Sequence, residues 1–380
     1  MQYRLTEQQE MIRQSVKEIV EDKVVPRAAE IDETDEFPRD IFELFRAADL
    51  LGLAVPVEYG GVEADKLTFC LVTEEIAKAS LACAAIVTGQ ELGSTPILLA
   101  GNEEQKKTYL PQVASGEYIA AFGVTESEAG SDAGAIQTRA TLSGDSYILN
   151  GGKCFISHGA VAHIFSVFAR TDPKLTGTRG ISAFVVDKNS PGFSIGKIER
   201  KMGAHGLSNA ELLFDDCRIP RENLLGKEGD GFRIVMKTLD LTRPTVASQA
   251  LGIAQGALDY AVNYANQRVQ FGQPIIQFQA IQFMLADMAM EIEAARQLTY
   301  KAATLIDQDS DEVPKFGAMC KCFASDVAMK ATTNAVQVLG GYGYMKDHPV
   351  ERMMRDAKLI QIWEGTNQIQ RVVIGRTLVT

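Results

Sequence analysis

The stretch IQIWEGTNQIQR, residues 360–371, places a single acidic side chain among apolar ones. Glu364 follows Ile362 and Trp363 and precedes a glycine and a short polar run. Apolar neighbours disfavour the charged form of a carboxylate, so its pKa rises into the range where the group can accept and hold a proton. An exposed acid at a helix start is the simpler alternative, because negative charge is favourable there. The residue types therefore indicate a candidate general base, with one structural alternative.

The cysteines and histidines show no spacing typical of a disulfide framework or a metal site. The closest cysteines read C-x-C, and none of the four histidines belongs to an H-E-x-x-H motif. We therefore predict reduced cysteines and no metal. The sequence also lacks a P-loop and a G-x-G-x-x-G motif, which disfavours a simple nicotinamide enzyme. The six cysteines are Cys70, Cys83, Cys154, Cys217, Cys320 and Cys322.

Length and charge limit the classes of partner. The chain has 380 residues, a net charge of −11 and 46% hydrophobic residues, as expected for a globular protein of two or three domains. Nucleic acids and anionic membranes bind clustered Lys and Arg, so we predict neither as a partner. No apolar run reaches about 18 residues, and the N-terminus does not read as a secretory or transit segment. We expect a cytoplasmic protein.

The hydrophobic periodicity changes twice and predicts three domains, residues 1–117, 118–226 and 227–380. The first and third domains have helical periodicity, and the alanine-rich faces of the third suggest close helix packing or subunit contacts. The middle domain has short β-rich runs, and we predict an antiparallel β domain with a hairpin turn at Asn150-Gly151. Its predicted strands lie in SYILNGGKCFIS, HIFSVFAR, ISAFVVD, GFSIGKIE and NAELLFDDCRIP.

Two helices of the first domain have recognisable ends. Thr6 and Gln9 form a capping-box pair at the start of the first helix, which we predict to stop at Pro26. A second helix is predicted between Pro38 and Gly52.

Five separate motifs in this order resemble the acyl-CoA dehydrogenase family over nearly the whole chain: VPVEYGG, FGVTESEAGSD, QRVQFGQPIIQFQ, QVLGGYGY and RMMRDAKLIQIWEGTNQIQR. The resemblance implies an α+β multidomain fold with an N-terminal helical domain, a middle antiparallel β domain and a C-terminal four-helix-bundle domain. It also implies FAD held between the β domain and the C-terminal domain, in a homotetramer built as a pair of dimers.

The resemblance assigns a role to Glu364. Desaturation of a thioester requires a base that takes the α-proton while a hydride leaves Cβ for the flavin, and a carboxylate of raised pKa suits that base. In relatives with the EGT pattern this glutamate is the base, and its backbone N–H helps to polarise the thioester carbonyl. Some relatives instead carry the base in the motif that here reads LDLTRP, where this chain has Thr242. We therefore predict Glu364 as the base.

Other site residues carry over from the motifs. Most relatives have Asn where this chain has His158, after the hydroxyl that flanks the flavin ring. Each residue has an ordinary alternative, such as a core position for Phe155 or a surface charge for Arg268, but their joint occurrence favours the functional interpretation. Predicted FAD contacts, partly from a neighbouring subunit, are Phe122, Val124, Thr125, Phe155, Ser157, Arg268, Phe271, Gln337, Gly341, Thr366 and Gln368. Predicted substrate contacts are Ser131, Asp240, Arg243 and Trp363.

The acyl group is less well defined by the sequence. The stretch VTGQELGSTPI matches the wall of the acyl pocket and carries Glu91, which is unfavourable for a long apolar tail. Glu91 either faces the substrate as a second catalytic acid, or points to solvent or pairs with a neighbour. Trp363 adds bulk beside the base, so we expect a short, compact or alicyclic acyl-CoA, of the cyclohexane-carboxyl type.

These observations predict an FAD-dependent acyl-CoA dehydrogenase that passes electrons to an electron-transfer flavoprotein. A short- or medium-chain straight acyl-CoA dehydrogenase remains an alternative. So do an oxidase that reacts with O₂, a reductase, and a non-catalytic acyl-CoA or flavin-binding scaffold. The intact set of Glu364, Arg243 and flavin-matching residues favours the enzyme over the scaffold.

Overall fold

The N-terminal region of the computed structural model, which describes residues 5–379, is helical as predicted. The first helix, α1 (Glu7–Ile19), begins at the predicted capping box. The hydroxyl of Thr6 accepts a hydrogen bond from the backbone N–H of Gln9 at 3.2 Å, and the Gln9 side chain accepts from the N–H of Thr6 at 3.0 Å. These bonds satisfy two donors that a helix start leaves free.

The predicted stop at Pro26 is wrong. After α1 the helical path continues through a π-helical turn (Val20–Val24) and a 3-10 turn (Val25–Arg27) into α2 (Ala28–Thr34). Pro26 occupies the first turn of the 3-10 segment, where a missing N–H costs little. The proline therefore reshapes the helix instead of ending it.

Four further helices complete this region and provide one wall of the site. The longest of them, α5, is almost entirely buried and carries Glu91. The helix predicted from Pro38 to Gly52 is shorter than expected, because it ends at Ala47. The four helices are α3 (Arg39–Ala47), α4 (Lys66–Ala77), α5 (Leu81–Ala100) and α6 (Glu103–Ala114).

The middle region folds into an eight-stranded sheet. Seven strands lie in the order β6-β7-β3-β2-β4-β5-β8, and β1 pairs with β4. The pairings are antiparallel except those of β4 with β1 and β2, so the predicted antiparallel character is confirmed. The strands are β1 (Ala120–Gly123), β2 (Arg139–Ser143), β3 (Ser146–Ser157), β4 (Ile164–Arg170), β5 (Ile181–Asp187), β6 (Phe193–Ile198), β7 (Asn209–Pro220) and β8 (Leu224–Leu225).

The hairpin predicted at Asn150-Gly151 is also wrong, because strand β3 runs through both residues. The chain turns earlier, at Gly144, whose φ of 63° is a conformation that glycine adopts readily. Asn150 and Gly151 instead form an irregularity in the pairing of β3 with β7, where Asn150 exchanges hydrogen bonds of 3.0 and 2.9 Å with Asp216. A turn-forming dipeptide thus serves as a β-bulge.

The C-terminal region is a helical bundle in which α7, α8, α9 and α10 pack on one another. The glycine cluster LGGYGY forms a 3-10 turn (Gly340–Tyr344) at the end of α9. None of the helices within residues 5–379 is long and apolar enough to cross a membrane. The elements are α7 (Gly231–Gln267), β9 (Val269–Gln270), β10 (Gln273–Pro274), α8 (Gln279–Asp307), α9 (Val313–Leu339), α10 (Val350–Ile360) and α11 (Asn367–Arg376).

Candidate active site

Glu364 lies in a tight turn between α10 and α11. Its φ is 51° and that of Gly365 is 88°, so two successive residues adopt the left-handed conformation, which is unfavourable for a non-glycine residue. The buried side chain of Gln370 holds the turn, because its Nε2 donates to the carbonyls of Glu364 at 3.1 Å and Gly365 at 3.0 Å. Thr366 then caps α11 by accepting from the N–H of Ile369 at 3.3 Å.

The Glu364 side chain is half-buried among side chains from the helices around it. Thr242 Oγ1, on α7, donates a hydrogen bond of 2.9 Å to Glu364 Oε2. Burial raises the pKa of Glu364 to about 7, and the negative charge of Glu91 acts in the same direction, while Thr242, Lys321 and Arg243 oppose the rise. A group with this pKa changes its charge near neutral pH, as a general base requires.

Thr242 is also the position where some relatives carry the base. Its hydroxyl meets the carboxylate of Glu364 directly, so the two alternative base positions converge on one place in the fold. A threonine hydroxyl is far too weak a base for an α-proton, whereas it is a good hydrogen-bond donor to a carboxylate. The geometry is therefore compatible with Glu364 as base and Thr242 as its donor.

Glu91 is fully buried and paired. Its carboxylate accepts hydrogen bonds from the Lys66 ammonium and from Thr245 Oγ1, the latter at 2.8 Å. Of the alternatives for Glu91, exposure to solvent is therefore excluded and pairing with a neighbour is observed. Thr245 lies one helical turn beyond Thr242 on α7, so a single helix face contacts both carboxylates.

Lys66 and Thr245 were not identified from the sequence. Lys66 lies at the start of α4, outside the stretch that matches the pocket wall, and it belongs to none of the five motifs. Only the three-dimensional packing of α4 against α5 brings its ammonium to Glu91. A signal for Thr245 exists in the sequence, because it follows Thr242 by three residues on one helix face.

The predicted substrate-binding residues lie on different elements. Arg243 is 3% exposed and forms an ion pair of 2.5 Å with Asp240 on the same face of α7. Burial raises the pKa of Asp240, although Arg243 opposes this. Ser131 is exposed in the loop after β1, and Trp363, beside the base, has a buried indole Nε1 with no hydrogen-bond partner in the described structure. A buried donor without a partner indicates a position where a ligand can accept a hydrogen bond.

Lys321, on α9, is a further residue of the site that the sequence reasoning missed. Its buried ammonium donates to the carbonyl of Gly365 at 2.9 Å and to Asn367 Oδ1 at 3.0 Å. Burial lowers the pKa of Lys321 to about 8, and Glu364 is the largest opposing influence. The available signal was a lysine within the apolar helical stretch GAMCKCFAS, since lysine is rarely buried without a partner.

The flavin-matching residues of the β domain meet where β1 ends and β3 ends. The carbonyl of Thr125 accepts from the N–H of Cys154 at 2.9 Å, which joins the segment after β1, with Phe122 and Val124, to the end of β3. Phe155 is 62% exposed and has a φ of 58°, so its ring lies outside the core. An exposed aromatic ring with backbone groups nearby fits the planar ring of a flavin.

A second set of cofactor-matching residues surrounds the end of α9. Arg268 and Gly341 line a cavity of about 480 Å³, and the Arg268 guanidinium lies 5.2 Å from the ring centre of Tyr342. Phe271, 93% exposed, extends from the β9–β10 hairpin, and Gln337 is exposed on the last turn of α9. An open cavity with a guanidinium suits a phosphate-bearing ligand.

The cofactor-matching residues at the end of α9 lie far from the base within one chain. Lys321, beside the Glu364 turn, and the C-terminal residue of α9, Leu339, are separated by about 27 Å, from the rise of an α-helix. Thr366 and Gln368 lie at the Glu364 end, at the start of α11. The structure therefore brings Thr366 and Gln368 close to the base, but not Arg268 and Gly341.

His158 is buried, and neither of its ring nitrogens has a hydrogen-bond partner in the described structure. Burial lowers its pKa to about 4, so the imidazole is neutral at physiological pH. Its ring packs edge-on to that of Phe37, with ring centres 5.9 Å apart. The ring also occupies the space that a side chain on Gly89 of α5 would need.

Three other kinds of chemistry find no support in the described part of the chain. Residues 5–379 contain no group of three or more His, Cys, Asp or Glu that could hold a metal ion. The six cysteines are all free thiols, and five of them are buried. A G-x-S-x-G string, residues 192–196, lies largely within strand β6, whereas a nucleophile elbow requires a turn from a strand to a helix.

Comparison with known protein families finds a match for nearly every part of the chain. The N-terminal, middle and C-terminal domains of acyl-CoA dehydrogenases match residues 6–117, 121–217 and 229–379. The chain therefore belongs to the acyl-CoA dehydrogenase family of FAD-dependent oxidoreductases. This confirms the predicted family, its three-part fold and the assignment to an enzyme class.

Individual relatives show the range of the family. An acyl-CoA dehydrogenase of Bacillus subtilis is 49% identical, covering 98% of this chain and 98% of the relative. A cyclohex-1-ene-1-carbonyl-CoA dehydrogenase of Geobacter metallireducens is 48% identical over 98% of each chain. The solved structure of butyryl-CoA dehydrogenase from Megasphaera elsdenii is 44% identical, with a TM-score of 0.97 and complete coverage of both chains.

Proposed function

We propose that the protein catalyses α,β-desaturation of a short, compact or alicyclic acyl-CoA and passes the electrons to an electron-transfer flavoprotein. The observation that carries the proposal is the half-buried Glu364 carboxylate, whose pKa is raised to about 7 and which accepts a hydrogen bond from Thr242. It is the carboxylate expected for a base that removes an α-proton near neutral pH. The electron acceptor follows from the family resemblance.

FAD, when bound, supplies the acceptor for the hydride that leaves Cβ of the substrate. Phe155, Thr125 and Ser157 of the β domain, together with Thr366 and Gln368, would hold it. Glu364 takes the proton from Cα, and its backbone N–H polarises the thioester carbonyl so that the α-proton becomes more acidic. Thr242 orients the carboxylate for that transfer.

The CoA part of the substrate is proposed to contact Ser131, Asp240 and Arg243. Arg243 is buried, and its Nε has no hydrogen-bond partner in the described structure, so it can still donate to a ligand. Its positive charge also favours the ionised form of Glu364. Arg243 can therefore support both substrate binding and the base.

The acyl pocket is proposed to favour a compact group. A buried, ion-paired Glu91–Lys66 wall is a poor surface for a long hydrocarbon tail, because the tail would remove water from charges without pairing them. Trp363 restricts the space beside the base. A relative that acts on a cyclohexene-carbonyl-CoA supports an alicyclic substrate, and the butyryl-CoA dehydrogenase supports a short straight chain as the second candidate.

We further propose that Glu91 accepts a proton from a ring carbon beyond Cβ when the substrate is an alicyclic acyl-CoA that already has a ring double bond at Cα and therefore no α-proton. The electron pair of that C–H bond would shift through the double bond while a hydride leaves the other ring carbon bonded to Cα for the flavin. The negative charge of Glu91 raises the pKa of Glu364, so the two carboxylates influence each other within one site. Lys66 forms an ion pair with the Glu91 carboxylate and holds it in place. A straight short chain has no carbon held against this wall, so it would not need the second acid.

One variant separates the two substrate classes. Glu91→Gln keeps the size of the side chain but removes its basicity, so we expect a large loss of turnover with an alicyclic acyl-CoA and a small change with butyryl-CoA. Thr88→Val, one helical turn before Glu91 on α5, is a control for changed packing, because Thr88 donates only to a backbone carbonyl and accepts from Gln249. Equal, small effects of Glu91→Gln on both substrates would rule out the special role.

The overall reaction is tested on the purified holoenzyme. Anaerobic mixing with butyryl-CoA, a cyclohexane-carbonyl-CoA and a long-chain acyl-CoA should bleach the flavin with the first two but not the third. Reoxidation by electron-transfer flavoprotein, but only slowly by O₂, would distinguish a dehydrogenase from an oxidase. Binding of acyl-CoA without bleaching would instead indicate a non-catalytic scaffold.

We also propose a homotetramer in which one subunit completes the FAD site of another. Arg268 and Gly341 lie at the far end of α9 from the Glu364 turn, and their cavity opens on the surface of the chain. A neighbouring subunit is needed to bring such residues to the same cofactor as Thr366. Closed assemblies of this kind are common among soluble enzymes.

A further inference from the structure

We propose that Lys321 is a positioning residue for Glu364, whose ammonium both fixes the turn that presents the carboxylate and stabilises the carboxylate's negative charge. The inference rests on the proposed role of Glu364 as the base. It concerns a residue that lies on another helix, 43 positions earlier in the chain.

Both hydrogen bonds of the Lys321 ammonium go to the segment that begins at the Glu364 turn. Its Nζ donates to the carbonyl of Gly365, the residue directly after the base, and to Asn367 Oδ1. Asn367 is itself fixed, because its Nδ2 donates to Ser325 Oγ at 2.8 Å and to Asp326 Oδ1 at 2.8 Å. The ammonium thus bridges α9 to the first residue of α11 across the strained turn.

A turn with two left-handed residues needs such support. The peptide that joins Glu364 to Gly365 would relax toward a commoner conformation if its neighbours did not hold it. Gln370 and Lys321 together occupy the carbonyls of Glu364 and Gly365 with three donors. Gln370 supplies neutral donors, whereas Lys321 alone among these supports brings a positive charge.

The charge matters because few groups face the carboxylate. Glu364 is influenced by Glu91 from α5, by Thr242 and Arg243 from α7 and by Lys321 from α9. Lys321 itself is influenced by Glu364, Arg243, Cys322 and Asp326. Burial of Lys321 lowers its pKa to about 8, so the ammonium persists in the neutral range where Glu364 must lose its proton.

Replacing Lys321 with an uncharged residue should therefore change the pH at which Glu364 ionises, and not only the rate of flavin bleaching. We expect Lys321→Met to move the midpoint of Glu364 ionisation upward by roughly half a pH unit or more, because a nearby opposite charge favours the ionised form. Lys321→Arg, which retains the charge, should move it less. Gln370→Met removes neutral donors from the carbonyls of Glu364 and Gly365, of which Lys321 contacts the second. It is the matched control, with an expected midpoint like that of the parent protein.

The midpoint is measured by ¹³C NMR of the holoenzyme labelled at the glutamate side-chain carboxyl carbon, with Glu364 assigned as the signal missing in Glu364→Gln. The pH dependence of flavin bleaching by butyryl-CoA in a single turnover should move in parallel. Because the NMR titration does not depend on catalysis, it remains a test of Lys321 even if Glu364 proves not to be the base. If Lys321→Met folds poorly, Lys321→Gln provides the same comparison.

A purely structural role gives a different result. Lys321→Met and Gln370→Met would then both slow bleaching or lower the melting temperature, while the Glu364 midpoint stayed at its parent value in both. That outcome would overturn the proposal. A raised midpoint in Lys321→Met alone, with a partial or complete return in Lys321→Arg, would support it.

Discussion

At the scale of single residues, the site depends on how a carboxylate is kept protonatable near neutral pH. Glu364 is half-buried and accepts a hydrogen bond from the hydroxyl of Thr242. The positive charges of Lys321 and Arg243 and the negative charge of Glu91 act on it in opposite directions. Burial is the largest of these effects, and it outweighs the two cations, because the pKa rises from 4.5 to about 7. A more polar turn would leave the glutamate ionised but a weaker base.

The first prediction concerns the loss of this base. Glu364→Gln should retain FAD but slow flavin bleaching by acyl-CoA by at least about 10²–10⁴-fold, the usual contribution of a positioned base. Stopped-flow bleaching and the FAD absorbance of the purified variant measure the two effects. Bleaching near the parent rate would show that another residue takes the proton.

The parent enzyme should also lose activity in acid in a defined way. Glu364 must be ionised to accept a proton, so the rate of flavin bleaching should fall as the pH decreases through about 7. In Glu364→Gln the remaining slow bleaching should lack this dependence. A parent profile that is flat between pH 5 and about pH 8 would contradict the raised pKa.

At the scale of elements, helix α5 and the end of strand β3 meet without spare space. A methyl group on Gly89 would lie 2.3 Å from Cε1 and 2.5 Å from Nδ1 of His158. The imidazole is buried on all sides, so it cannot rotate away into solvent. This close approach fixes the position of the helix that carries Glu91 relative to the strand that carries Phe155.

A third prediction tests this contact. Gly89→Ala should destabilise the protein by about 1–3 kcal/mol, as overpacking of a filled core does. In a His158→Ala background the same change should cost little or even stabilise, because alanine favours a helix interior over glycine by roughly 0.5–1 kcal/mol. Denaturant unfolding of the four proteins gives the comparison. An equal cost in both backgrounds would mean that the contact is not responsible.

Part of these elements could be predicted from local sequence. The capping box of Thr6 and Gln9 uses residues three apart, and the strand-like runs of β4 and β5 are buried on both faces, so neighbours along the chain specify them. The apolar flanks of Glu364 likewise indicated a raised pKa. Local signals of this kind depend on few contacts.

The features that could not be predicted from the sequence depend on contacts between residues that are distant along the chain. Asn150-Gly151 has a strong turn preference, yet pairing with β7 places it inside β3. Lys66 reaches Glu91, and Lys321 reaches Gly365, only through the packing of separate helices. No pattern in one segment encodes such partners, so the sequence identified both acids but neither lysine.

At the scale of the whole molecule, helix α10 joins the three parts of the chain just before the Glu364 turn. Arg355 donates to both oxygens of Asp32 in α2, at 2.9 and 2.6 Å. The adjacent Asp356 accepts from the N–H of Ala204, between β6 and β7, at 2.6 Å. Because α10 leads into the turn that carries the base, these bonds fix Glu364 relative to both the first helical region and the sheet. The domain limits at 117 and 226 remain predictions.

The last prediction concerns assembly and the cofactor together. Arg268 lines a surface cavity about 27 Å along α9 from the Glu364 end, and its guanidinium lies over the ring of Tyr342. If this cavity binds the phosphates of an FAD held by another subunit, Arg268→Ala removes a charge-assisted contact that links the cofactor to the subunit interface. Arg268→Ala should therefore retain less FAD and shift to smaller assemblies, since cofactor binding and association stabilise each other.

Gel filtration with light scattering gives the mass of the assembly, and the ratio of flavin to protein absorbance gives the FAD content. Arg233→Ala is the matched control, because Arg233 is an arginine of α7 with a side chain that is 78% exposed and paired only with Asp230. We expect the control to keep its FAD and its mass. Added FAD should restore the mass of Arg268→Ala at least in part, because ligand binding favours the assembled form. An Arg268→Ala protein that keeps both the parent mass and the parent FAD content would show that this cavity is not a shared cofactor site.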